Sequence, residues 1–102
     1  MNLKNLYKIV ENRKRQMPDK SYVASLFRAG KNRIIQKVGE EAIEVVLAAK
    51  GKSKKRLISE IADLWFHSLV LLASFGVPLS DIEIELDKRN KKIIIADSKL
   101  VT

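Results

Sequence analysis

Apolar side chains recur at intervals of three and four residues along most of the chain, which is the spacing of a helix with one buried face. The first such group predicts a helix of three or four turns that ends before Pro18: Leu3, Leu6, Tyr7 and Val10. Ser21 is placed to cap a short second helix over residues 22–28. Gly30 would end that helix, because glycine tolerates a left-handed backbone.

Two longer helices are predicted in the middle of the chain. The third helix ends at Gly51, and its apolar stripe contains Ile34, Ile35, Val38, Ala42, Val45, Val46 and Ala49. Ser53 is placed to cap a fourth helix that runs to about residue 75. This fourth helix is apolar on nearly all sides, which is typical of a central helix or of one shared with a second subunit.

A fifth helix has the clearest start signal of the chain. Ser80 and Glu83 have the spacing of a capping box, and Leu79 can pack against Ile84. The helix is expected to run to about residue 92. Residues 93–102 stay unassigned, since the β-branched run at 93–95 suits a continued helix, a short strand or a contact with another subunit. No stretch shows sustained strand alternation, so the predicted class is all-α, a bundle of about five helices.

The length and composition are those of one small domain. We expect one domain over the 102 residues, with a modest core that pairing with a second copy would enlarge. The chain has no cysteine, which excludes disulfides, thiolate metal sites and thiol nucleophiles. The first residues lack an export signal, so we expect a cytoplasmic protein. The longest apolar stretch, residues 64–75, is shorter than the ~20 residues of a membrane-spanning helix, so we expect no membrane partner.

The net charge of +8 at pH 7 indicates an anionic partner. Nucleic acid, an acidic membrane and a polyphosphate metabolite all meet that description, and charge alone does not choose among them. Most of the basic residues are expected on solvated helix faces.

Two pairs of acidic residues lie where the third and fourth helices should bury apolar surface. Glu41 and Glu44 are three residues apart on the third helix, and Glu60 and Asp63 repeat the spacing on the fourth, so each pair shares one side of its helix. A short link makes the two helices antiparallel neighbours, with the pairs at comparable height. Four facing carboxylates would bind Mg²⁺, with Mn²⁺ as an alternative, and favour metal-dependent phosphate chemistry.

Some of these acids have a simpler interpretation. Glu41 and Glu44 could be solvated residues that pair with bases such as Lys37. Asp63 is flanked by apolar residues, where a carboxylate needs a cation, a hydrogen-bond network or access to solvent. His67 is the only histidine, and we expect a hydrogen-bonded core residue there, because a hard cation prefers oxygen ligands.

Three basic residues precede the first acidic pair: Lys31, Arg33 and Lys37. Beside a carboxylate cluster they are candidates for binding substrate phosphates, Arg33 through a planar fork and the lysines through compact charges. The alternative for Lys37 is an ion pair with Glu40 or Glu41 within its own helix.

Three segments of the chain form a recognisable set of motifs. They are Ser-Tyr-Val-Ala-Ser-Leu at residues 21–26, Gln-Lys-Val-Gly-Glu-Glu-Ala-Ile-Glu at 36–44 and Ile-Ser-Glu-Ile-Ala-Asp-Leu at 58–64. The last two contain the Glu-x-x-Glu and Glu-x-x-Asp pattern of the all-α, MazG-like nucleotide pyrophosphohydrolases. Together the three closely resemble the phosphoribosyl-ATP pyrophosphohydrolase family, from about residue 3 to residue 89.

The resemblance implies a Mg²⁺-dependent homodimer that hydrolyses phosphoribosyl-ATP to phosphoribosyl-AMP and pyrophosphate, the second step of histidine biosynthesis. By position, the metal ligands would be Glu41, Glu44, Glu60 and Asp63. Glu40 would hold a metal-bound water or orient the attacking one. Two features depart from the family: Asn90 stands where members often carry histidine, and residues 91–102 have no counterpart that we recognise.

The mechanism expected from these residues is attack by a metal-activated water between the α- and β-phosphates. One rival function keeps this chemistry but acts on noncanonical nucleoside triphosphates. The other is a small basic helical protein that binds nucleic acid, supported only by the charge excess. The acidic cluster argues against it, because phosphate backbones avoid carboxylates, so we do not expect nucleic acid as a partner.

Overall fold

The computed structural model describes the backbone of residues 1–101 and the side chains of residues 1–90. Within that part the chain is helical and contains no strand, so the all-α prediction is confirmed. The five helices are α1 (Leu3–Gln16), α2 (Tyr22–Ala29), α3 (Lys31–Lys50), α4 (Lys54–Ser74) and α5 (Leu79–Val101).

The first four helices begin and end close to the predicted residues. The Ser21 hydroxyl accepts the backbone N–H of Ala24 at 3.1 Å and caps α2. The Ser53 hydroxyl accepts the N–H of Arg56 at 3.2 Å and caps α4. Gly30, with a φ of 99°, ends α2 and immediately precedes α3, a backbone angle that favours glycine.

The fifth helix differs from the prediction at both ends. It begins at Leu79, so Ser80 lies inside its first turn and the predicted capping box is wrong. Pro78 lies just before the helix, and its carbonyl accepts the N–H of Asp81 at 3.1 Å, so the helix starts two residues earlier than predicted. At the other end α5 continues through residues 93–95, so of the alternatives of a continued helix and a short strand, the continued helix is correct. The alternative of a contact with another subunit concerns side chains that lie outside the described residues.

Helices α3 and α4 form a long antiparallel hairpin. Helix α1 packs against α4, and α2 packs against both α3 and α1. The core lies at the open end of the hairpin, where these four helices meet, and consists of Tyr7, Val10, Leu26, Ile34, Leu69, Val70 and Ala73. Polar contacts also join α1 to the end of α4, since Lys14 Nζ donates to the Ala73 carbonyl at 2.7 Å.

The half of the hairpin near its turn leaves large apolar side chains exposed. They are Ile43, Val46 and Leu47 on α3 and Ile58 on α4, and Trp65 further along α4 is 54% exposed. Helix α4 is therefore not enclosed within one chain. By length and composition α4 could cross a membrane, which corrects the prediction that residues 64–75 are too short an apolar stretch to do so. The core helix of a soluble protein meets the same test.

Candidate active site

Three of the four predicted ligand carboxylates converge between α3 and α4. Carboxylate oxygens of Glu41 on α3 and of Glu60 and Asp63 on α4 all lie within 4.8 Å of one another. The antiparallel hairpin produces this arrangement, because it places the middle of α3 beside the middle of α4. We call these three residues the carboxylate cluster. Three hard oxygen donors at this spacing fit Mg²⁺ or Mn²⁺.

The cluster faces solvent more than the sequence suggests. Glu41 and Glu60 are partly buried, whereas Asp63 is exposed. The sequence predicted that the Asp63 carboxylate needs a cation, a hydrogen-bond network or access to solvent, and the structure shows access to solvent. Because its side chain is exposed, its apolar neighbours in the sequence do not desolvate its carboxylate.

Glu44 lies outside the carboxylate cluster. Its Oε2 atom is 3.2 Å from the guanidinium of Arg56, and both side chains are about half exposed. This ion pair joins α3 to α4 nearer the hairpin turn. Our sequence reasoning missed Arg56, and the signal that could have found it is its position four residues before Glu60, on the same side of α4.

Glu40 and Lys37 lie beside the cluster on α3. Glu40 Oε1 accepts hydrogen bonds from Gln36 at 2.9 Å and from Arg33 at 3.3 Å. Lys37 Nζ lies 3.1 Å from Glu41 Oε1 and 3.7 Å from Glu40 Oε2. Lys37 therefore forms ion pairs within its own helix, which was the alternative to phosphate binding. The same ion pairs hold its ammonium group against the cluster.

The electrostatics of the site keep Lys37 charged. The hydrogen bond to Glu41 raises the pKa of the Lys37 ammonium above its ordinary value of 10.5, partial burial opposes that rise, and electrostatic interactions with Tyr22, Glu41 and Glu40 add to it. The ammonium is consequently protonated throughout the neutral range. It offsets part of the negative charge of the three carboxylates.

The structure does not bring Lys31 to the carboxylate cluster. Its Nζ atom lies 4.6 Å from the centroid of the Phe75 ring, a cation–π contact at the far end of the hairpin. Ten residues separate Lys31 from Glu41, which is about 15 Å along a helix axis. Grouping Lys31 with Arg33 and Lys37 by sequence proximity overlooked this distance.

His67 is a buried, hydrogen-bonded residue, as expected. It is 5% exposed, its Nδ1 atom lies 2.7 Å from the backbone oxygen of Asp63, and its Nε2 atom lies 3.1 Å from the hydroxyl of Tyr22. A carbonyl oxygen can only accept, so Nδ1 carries the proton and the tyrosine hydroxyl donates to Nε2. Our sequence reasoning did not single out Tyr22, although it lies within one of the three motifs.

The fold and the site define an all-α protein with a carboxylate cluster suited to a divalent cation and with basic side chains beside it. Residues 3–90 match the family described as phosphoribosyl-ATP pyrophosphohydrolase. The chain therefore belongs to the phosphoribosyl-ATP pyrophosphohydrolase family, and it is a hydrolase. The matched residues agree with the extent of the resemblance noted in the sequence.

Three relatives support this assignment, and each is named phosphoribosyl-ATP pyrophosphatase. The protein from Leptospira biflexa serovar Patoc is 50% identical over 88 residues, which is 86% of this chain and 96% of the relative. The protein from Chromobacterium violaceum is 47% identical over 87 residues, covering 85% and 81% of the two chains. The protein from Clostridium acetobutylicum is 47% identical over 92 residues, covering 90% and 84%.

Proposed function

We propose that this chain hydrolyses phosphoribosyl-ATP to phosphoribosyl-AMP and pyrophosphate, the second step of histidine biosynthesis. Membership of the family supports the substrate. The observation that carries the chemistry is the convergence of Glu41, Glu60 and Asp63 within 4.8 Å. Three carboxylates this close repel one another unless cations are present, and a polyphosphate substrate brings its own divalent cation.

The proposed cofactor is Mg²⁺, with Mn²⁺ as an alternative, held by Glu41, Glu60 and Asp63. The donor set fits, because all three residues offer hard oxygens from two facing helices. A divalent cation bound there would supply Lewis acidity toward phosphate oxygens and toward the hydrolytic water. Glu44 is proposed as the fourth carboxylate ligand: it lies one turn from Glu41, and it would have to leave Arg56 to take that role.

The residues beside the cluster are proposed to position the reactants. Arg33 and Lys37 would hold phosphate oxygens of the substrate or of the leaving pyrophosphate, which spreads the charge that develops during phosphoryl transfer. Glu40 would orient the water that attacks between the α- and β-phosphates, since Gln36 and Arg33 already fix its carboxylate. For Lys31 the phosphate-binding role stays a sequence prediction, which its distance from the cluster does not favour.

We further propose a homodimer in which α3 and α4 share a core with a second copy. The exposed apolar side chains on the hairpin support this: Ile43, Val46, Leu47, Ile58 and Trp65. Each such residue loses favourable burial when it faces water, and a second hairpin would cover them. The chain is proposed to act as a single domain over residues 1–102.

The proposed setting is the cytoplasm, without a membrane or nucleic acid as partner. Helix α4 has the length and composition of a membrane span, but it carries Glu60, Asp63 and His67 along its middle. Ionisable groups in the centre of a bilayer are costly. Contact with a second protein hairpin would account for the exposed apolar side chains of α4 without placing these ionisable groups in a bilayer.

A direct assay of pyrophosphate release tests the proposal. Phosphoribosyl-ATP and a panel of nucleoside triphosphates are supplied side by side, with Mg²⁺ and with a chelator. We expect release from phosphoribosyl-ATP only with Mg²⁺ and much slower release from the panel. Faster turnover of a nucleoside triphosphate would instead favour the rival substrate, and no release from any substrate would refute the proposed chemistry.

A further inference from the structure

Tyr22 presents an exposed aromatic ring at the start of α2. It is the first residue of α2, directly after the Ser21 cap, and it remains 54% exposed although it contacts α4. Most large aromatic side chains of a small protein contribute to its core. An aromatic ring held at the surface beside a charged site is instead suited to a ligand.

The surrounding side chains fix the orientation of this ring. The Phe66 ring lies nearly parallel to it, with centroids 6.1 Å apart and an interplanar angle of 25°. The His67 ring meets it edge-on at 6.2 Å and 81°, and the Tyr22 hydroxyl donates to His67 Nε2. These contacts hold the ring against α4 while 54% of the residue stays exposed. The exposed part is pre-oriented, so a flat ligand would lose little entropy by stacking on it.

The ring lies at the edge of the carboxylate cluster. His67, which holds the tyrosine hydroxyl, also donates to the backbone oxygen of Asp63, one helical turn away on α4. A nucleotide with its phosphates at the cluster would therefore have its base within reach of Tyr22.

We infer that the exposed face of Tyr22 is the stacking platform for the adenine of the substrate, with the hydroxyl bond to His67 setting the angle of the ring. The inference rests on the proposed function, which supplies an adenine nucleotide as substrate. It assigns recognition of the base to α2 and of the phosphates to α3 and α4. Stacking of a base on an aromatic side chain is strong enough to show in binding measurements.

Isothermal titration calorimetry in Mg²⁺ tests the inference with two ligands. One is α,β-methylene-ATP, which carries adenine and is not cleaved between the α- and β-phosphates, and the other is tripolyphosphate, which has no base. We expect Tyr22→Leu to weaken binding of the nucleotide about 5- to 150-fold and to leave binding of tripolyphosphate unchanged. Tyr22→Phe keeps the ring and should retain most of the nucleotide affinity.

A matched control is available at Phe75, an aromatic residue of similar exposure (56%) at the far end of α4. Phe75→Leu should change neither titration. The inference is overturned if Tyr22→Leu binds the nucleotide as the wild type does, if it loses both ligands equally, or if the wild type shows no preference for the nucleotide over tripolyphosphate. Failure of the proposed function is seen separately, as absence of pyrophosphate release from phosphoribosyl-ATP by the wild type.

Discussion

Removing one charge from the carboxylate cluster should stabilise the metal-free protein while it destroys catalysis. Asp63→Asn keeps the shape of the side chain and changes helix propensity little. It removes the repulsion between Asp63 and its two neighbours, Glu41 and Glu60, whose oxygens lie within 4.8 Å. Most surface substitutions have little effect or destabilise, so an increase in stability is a specific expectation.

The size of the effect follows from the distances in the cluster. Two unit charges 4.8 Å apart repel by about 1 kcal/mol in water and about 3.5 kcal/mol at an effective dielectric constant of 20. Asp63 is exposed, so the lower value applies to each of its two neighbours, and the nearby ammonium of Lys37 cancels part of the sum. A net gain of about 1 kcal/mol remains, which corresponds to roughly 4–8 °C in Tm for a domain of this size.

The assay is thermal unfolding followed by circular dichroism at one fixed protein concentration, with a chelator and with Mg²⁺. In chelator, Asp63→Asn should melt above the wild type. In Mg²⁺ the order should reverse, because a ligand at 100 times its Kd stabilises the wild type by about 2.7 kcal/mol and the variant binds it poorly. Asp19→Asn makes the same chemical change in the exposed turn before α2 and should show neither effect.

The outcome that would refute this reasoning is a variant that melts at or below the wild type in chelator and still gains the wild-type increment from Mg²⁺. Such a result would mean that the three carboxylates neither repel one another nor share a cation. Raising the salt concentration gives a second check, since screening should shrink the difference in chelator.

Three further outcomes are expected. Arg56→Gln frees Glu44, so it should lower the fold's stability by less than about 1 kcal/mol and tighten Mg²⁺ binding in calorimetry; unchanged or weaker binding would remove Glu44 from the ligand set. Lys37→Met should raise KM for phosphoribosyl-ATP. Because the folded-state pKa of Lys37 exceeds 10.5, its ion pairs stabilise the fold below that pH, and the Tm difference from wild type should vanish as pH rises through the folded-state pKa. Ile58→Lys should give monomers by light scattering, whereas Ile84→Lys on α5 should not, and equal masses would contradict the proposed interface.

The four helices in the first three-quarters of the chain could be predicted because local signals set them. Apolar spacing fixed their buried faces, and Ser21 and Ser53 cap the helices as their side chains allow. The start of α5 could not be placed in this way. Both Pro78 and Ser80 are favourable near a helix start, and the structure begins the helix with the proline carbonyl.

The carboxylate cluster was predictable in outline because a three-residue spacing on each of two antiparallel helices fixes where side chains point. Which carboxylates belong to the cluster was harder to predict. Glu44 lies outside it because it pairs with Arg56, which comes from the other helix. A contact between residues that far apart in sequence depends on the rotation of each helix about its axis. The contact between Tyr22 and His67 was hidden for the same reason, because it spans 45 residues of sequence.

The most direct test of the central claim is a crystal structure of the protein soaked in Mn²⁺, with anomalous data collected for the metal. The account predicts an anomalous peak within coordination distance of carboxylate oxygens of Glu41, Glu60 and Asp63, and its loss in Asp63→Asn. A peak elsewhere, or the same peak in that variant, would contradict the claim that these three residues hold a shared divalent cation.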